Sequence, residues 1–97
     1  MKASLRKEIE RIIKKERFSC SVDEFQDKVS WDYISNQNLS EDFIEKFQDK
    51  VSWDCISNQN LSEDFIEKFQ DKVNWDCISE SQNLSEDFIE KFQDKVN

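Results

Sequence analysis

An all-α fold is predicted for this chain: a short α-solenoid of stacked two-helix repeats of about 22 residues, led by an N-terminal capping helix. Three observations predict it. First, three nearly identical blocks stand head to tail: WDYISNQNLSEDFIEKFQDKVS (31–52), WDCISNQNLSEDFIEKFQDKVN (53–74) and WDCISESQNLSEDFIEKFQDKVN (75–97). A fixed period of this size is the signature of stacked units that bury apolar surface against their neighbours. Second, each block carries two helix-start signals. Third, the longer helix of each block has one apolar face. The 97 residues are 36% hydrophobic and 37% charged, a balance that leans toward disorder. The recurrence of eight Phe, three Trp and one Tyr at fixed places outweighs it, because regularly placed large side chains imply packing.

Residues 1–17 form the leading helix. Leu5, Ile9, Ile12 and Ile13 fall on one narrow helical stripe. This segment carries +4, whereas the remaining eighty residues carry −12, so a basic helix leads an acidic array. It suits a cap over the first repeat, an oligomerisation helix, or an arm for a membrane surface or nucleic acid. Glu8, Glu10 and Glu16 weaken the last, and Arg6–Glu10 and Glu10–Lys14 are i,i+4 pairs of a solvated face.

Residues 18–30 read as a degenerate half-repeat. Ser21 to Glu24 has the S-x-x-E capping-box pattern, which places a short helix start near Val22, with Cys20 and Phe25 as its staple.

Within the first block, Ser30 is the N-cap expected for a short helix from Trp31 to about Gln37. Asn38 and Leu39 make the joint. Ser40 caps a second helix expected to reach Val51, with Glu41 and Asp42 suiting the positive end of its dipole. Ser52 and Asn74 cap the later short helices. The third block holds one extra residue, Glu80-Ser81 in place of one Asn, and this insertion is expected in the joint. The core is expected from Trp31, Ile34, Phe43, Ile44, Phe47 and Val51, from Trp53, Ile56, Phe65, Ile66, Phe69 and Val73, and from Trp75, Ile78, Phe88, Ile89, Phe92 and Val96. The short helices fall below the length of about 12 residues at which an isolated helix is even marginal. Burial must hold them, and the tryptophans are expected to wedge between successive helix pairs.

Cys20, Cys55 and Cys77 fit neither a disulfide framework nor a zinc site. Stacked helices sit about 9–10 Å apart, beyond disulfide reach, so these residues read as reduced, half-buried small hydrophobes of a cytoplasmic compartment. No stretch is apolar enough for a signal peptide or a membrane span. The first two blocks differ only at Tyr33/Cys55 and Ser52/Asn74, as recent duplication would leave them.

The pattern W-D-x-I-S, then Q-N-L-S-E-D-F-I-E-K-F, then D-K-V resembles a short α-helical repeat found in uncharacterised proteins of giant DNA viruses of amoebae. The resemblance covers 31–97, and 25–30 more weakly. It implies arrays of variable copy number, no assigned chemistry, and residence in a virus-infected host cell. Relative to the usual pattern, the first two blocks are one residue short in the joint and the third matches.

Histidine, glycine and proline are absent. Without His the usual general base at neutral pH is missing, and no nucleophile–base pair, phosphate-binding glycine loop or metal cluster is legible. No enzyme, cofactor or metal is expected. The candidate partner-binding surface is an acidic ridge of Asp42, Glu45 and Asp49, Asp64, Glu67 and Asp71, and Asp87, Glu90 and Asp94. It would attract a basic protein or peptide, or be a plain solvated face. A second surface is the amide-rich joint at Asn36-Gln37-Asn38, Asn58-Gln59-Asn60 and Gln82-Asn83. Net negative charge argues against nucleic acid. The expected function is a protein-interaction scaffold. The alternative is a self-assembling element that joins head to tail through its C-terminal repeat, with Asn97 at the place of the next N-cap.

Overall fold

A computed structural model describes residues 2–96. Among these residues there are eight helices and no strand: α1 (Ala3–Glu16), α2 (Phe25–Lys28), α3 (Trp31–Ser35), α4 (Glu41–Lys46), α5 (Trp53–Ile56), α6 (Glu63–Lys68), α7 (Trp75–Ser81) and α8 (Glu86–Lys91). The molecule is elongated, 45 × 23 × 20 Å, and one apolar cluster runs from Leu5 to Phe92.

Helix α1 buries Leu5 and Ile9 and half-buries Ile12 and Ile13, packing against α4. Arg17 stops it in the left-handed region at φ 57°, and the Phe18 N–H reaches back to the Ile13 carbonyl at 3.0 Å. Glycine usually fills such a position.

Several expected boundaries shift. The Ser21–Glu24 box forms, with the Ser21 N–H on the Glu24 carboxylate at 3.0 Å and the Glu24 N–H on the Ser21 hydroxyl at 3.2 Å. It closes a turn, however, and α2 starts three residues after the expected Val22. The long helix of each block ends at Lys46, Lys68 or Lys91, not at Val51 and its equivalents. Phe47, at φ −110° and ψ 31°, leaves the helix, and the next residues turn tightly, with Val51 N–H returning to Phe47 carbonyl. Ser30 and Ser52 hold the N-cap positions of α3 and α5 without accepting through their side chains, whereas Asn74 does accept, from Cys77 N–H.

The extra residue of the third block lies in helix, not in the joint. Helix α7 runs seven residues where α3 has five and α5 has four. The reason is one carbonyl. In the second block Gln59 N–H closes a tight i−3 turn onto Ile56, and in the third Gln82 N–H closes an α turn onto the equivalent Ile78. The inserted residue is absorbed as helix, and the glutamine keeps its place.

Trp53 and Trp75 depart from the expected wedge role, whereas Trp31 also meets Phe25 of the preceding half-repeat, ring to ring at 5.9 Å. Each packs on the two phenylalanines of its own block and stays half-buried. Trp53 lies 6.3 Å from Phe65 and 5.5 Å from Phe69, and Trp75 repeats this with Phe88 and Phe92 at 6.2 and 5.4 Å. The tie that all three share with the preceding unit is polar: the indole N–H donates to the carbonyl of Gln26, Gln48 or Gln70, five residues earlier, at 3.0–3.1 Å. The early end of the long helix is what frees those carbonyls. Ile34, Ile44, Ile56, Ile66 and Ile78 are fully buried, and the six expected phenylalanines lie at 6% exposure or less. Ile89, expected in the core, is 42% exposed, and Val96 is only half-buried. Nothing among the described residues covers that side of α8. Asn97 lies outside the described residues.

Candidate interaction surface

The groups with the most developed geometry are those that join one block to the next. Helices α4, α6 and α8 share the sequence EDFIEK behind a serine N-cap, so their third helical residue is Phe and not the Glu of a capping box. The serine hydroxyl accepts from that Phe N–H at 3.1–3.2 Å. The N-cap N–H would otherwise lack an acceptor. The preceding block supplies it. Glu41 takes both the Ser62 N–H (2.7 Å) and the Ser62 hydroxyl (2.9 Å), and Glu63 takes the same two groups of Ser85. For Ser40 the partner is Glu8 of α1, again with both oxygens. The leading helix therefore stands in for a preceding repeat at this contact.

A glutamine makes the second joint. The Gln59 amide accepts from Leu39 N–H at 3.1 Å and donates to the carbonyls of Ser35 (3.0 Å) and Gln37 (2.6 Å). Gln82 does the same one block later, to Leu61, Ser57 and Gln59. Ser35 and Ser57, both fully buried, make the third: each hydroxyl accepts from the N–H that opens the next short helix, at Ser52 and Asn74, at 2.8 Å. None of these serines or glutamines was assigned a joining role from the sequence. Their signal was recurrence of a polar residue at a position where nothing local needs one.

The acidic ridge divides in two. Glu45 and Glu67 are half-buried and form ion pairs with Lys68 and Lys91 of the following block. Asp42 meets Lys2 at 3.7 Å, and Asp49 meets Lys72 at 3.5 Å, both at exposed sites. Asp64, Asp71, Asp87, Glu90 and Asp94 are exposed and meet no cation among the described residues. The structure thus pairs four of the nine ridge carboxylates with a lysine of a neighbouring unit, two of them half-buried, and leaves five open to solvent. Of the amide joint, Asn36, Asn38, Asn58, Asn60 and Asn83 are exposed, while Gln37, Gln59 and Gln82 are half-buried.

Three groups titrate away from their ordinary values. The Tyr33 hydroxyl donates to Glu16 at 2.6 Å, and that bond, with burial and the carboxylate charge, pushes its pKa up. Tyr33 occupies the place held by Cys55 and Cys77 in later blocks, so it is the tie specific to the leading helix. Cys77 is raised first by burial, then by Asp54, Glu80 and Asp76. Glu24 is lowered by the Ser21 N–H and then the Ser21 hydroxyl. The three cysteines are free and half-buried. Among the described residues no three His, Cys, Asp or Glu side chains gather in a metal-binding arrangement, and no helix is long and apolar enough to cross a membrane.

No protein-family model, curated protein or solved structure matches the chain.

Proposed function

We propose that this chain is a short α-solenoid acting as a non-catalytic scaffold that presents an acidic face to a basic protein or peptide, as the likeness to giant-virus repeats would allow. One observation carries the reading: Asp64 and Asp87, then Asp71 and Asp94, recur at equivalent places of successive blocks, exposed and without a cation among the described residues. Charges spaced by a repeat attract an oppositely charged chain and set its register more than they add affinity. A net charge of −8 strengthens that field.

Head-to-tail self-assembly is less supported. The face of the first repeat that a second copy would need is held by α1 through Glu8–Ser40, and by Gln26 through Trp31. Both would have to leave.

Titration of a lysine-rich peptide into the protein tests the scaffold reading. Binding should weaken at least tenfold in Asp64→Lys/Asp71→Lys/Asp87→Lys and fall steeply with salt. Unchanged binding in that variant would remove the acidic face from the reading.

A further inference from the structure

Three identical EDFIEK helices allow a direct comparison of what lies against each of them. Ile44 of α4 and Ile66 of α6 are fully buried, whereas Ile89 of α8 is 42% exposed. Leu39 and Leu61 are buried at 7%, and the equivalent Leu84 is only half-buried. Glu41 and Glu63 each hold a serine N-cap, but Glu86 at the same place meets no partner among the described residues. Glu45 and Glu67 hold lysines, and Glu90 holds none there. The Leu39 and Leu61 N–H groups each donate to a glutamine oxygen, and no such oxygen reaches Leu84 among the described residues. These differences fall together on one side of α8, around a depression of about 270 Å³ lined by Leu84 and Ile89 among others.

We propose that this side of α8 is a docking surface for a helical repeat of the same pattern carried by another chain. The occupant's chemistry follows from the two internal junctions. It presents a serine N-cap to Glu86, as Ser62 does to Glu41. It places a lysine six residues later against Glu90, as Lys68 does for Glu45. Three residues before the serine it carries a glutamine whose amide oxygen meets the Leu84 N–H, as Gln59 meets Leu39. An apolar residue four positions after that serine belongs to the same helix, as Ile66 does in α6. The surface continues an interface the molecule already makes twice, and its two carboxylates are complementary to a serine-capped, lysine-bearing helix. A second copy of this chain is a poor occupant, since its own Ser40 is already held by Glu8. Of the acidic ridge this surface uses Glu90 alone, and Asp64 and Asp71 lie in the preceding block, so charge reversal at those two residues leaves it unchanged.

Two measurements test it on the full chain. In one, a synthetic peptide with the sequence of residues 53–74 is titrated while backbone amide resonances are followed. Saturable shifts are expected at Leu84, Glu86, Ile89 and Glu90. The Ser62→Ala/Gln59→Ala form of the peptide should bind at least tenfold more weakly, and Ile89→Glu in the protein should abolish the shifts. In the other, the same 22 residues are joined to the C-terminus through a flexible glycine-serine linker, which removes most of the association cost of the free peptide. Leu84 N–H should then exchange at least tenfold more slowly, an effect lost in Glu86→Ala. Absence of shifts at those four residues up to millimolar peptide overturns docking from another chain. An unprotected Leu84 in the fusion overturns the surface itself.

Discussion

Trp53 shows how one side chain joins packing to polar closure. Its ring rests on Phe65 and Phe69, while its indole N–H satisfies the Gln48 carbonyl that the end of α4 releases. Two substitutions separate these contributions. Trp53→Ala should destabilise by about 3 kcal/mol, the low end for a truncated large aromatic because the residue is half-buried. Trp53→Phe should keep ring packing but orphan the carbonyl, costing about 1 kcal/mol. Chemical denaturation reads both, and equal losses would show that the hydrogen bond dominates. Tyr33 offers a second residue-scale test. It is the only tyrosine, so phenolate absorbance reports it alone. Its raised pKa means the neutral hydroxyl is favoured in the fold. That contribution is present below the unfolded pKa and is lost as pH rises through the folded one. Titration of Glu16→Gln should return the midpoint toward the ordinary tyrosine value, and an unmoved midpoint would exclude Glu16 as the cause.

At the scale of elements, helices of four to seven residues persist here although none could stand alone in water. Their ends are completed from outside: Glu8, Glu41 and Glu63 take N-cap N–H groups that no residue of the same helix can reach. Gln59 acts similarly on the loop before α4. Gln59→Ala leaves one N–H and two carbonyls without their amide in a half-buried place and should cost about 1–3 kcal/mol. Gln59→Glu should cost more, since a carboxylate cannot donate to the Ser35 and Gln37 carbonyls. Thermal melting orders the two, and equal melting of the glutamate form and the parent would mean water replaces the amide. Much of this level was readable in advance. The serine caps of α4, α6 and α8 follow from a small hydroxyl before an acidic first turn. The ends of those helices did not, because Phe47 continues the apolar period while its backbone leaves the helix.

Across the whole molecule, the three EDFIEK copies behave as one experiment. Full burial of an isoleucine side chain contributes about 1.5–3 kcal/mol. Leaving 42% of Ile89 exposed therefore removes about 1 kcal/mol from α8 relative to α4 and α6. Amide exchange should be roughly fivefold faster in α8 than in the corresponding residues of α4 and α6. Equal protection would mean that the three units open together and that neighbour contacts add nothing local.

The sequence by itself determined that this protein is helical, where most helices begin, and which side chains are apolar enough to be buried, because caps and periodicity act within a few residues. Only the tertiary structure decided which copy of an identical segment is covered. It also decided that the rings of Trp53 and Trp75 rest on phenylalanines of their own blocks and that an inserted residue becomes helix. The physical reason is that six identical residues carry identical propensities, and burial depends on what another part of the chain brings against them.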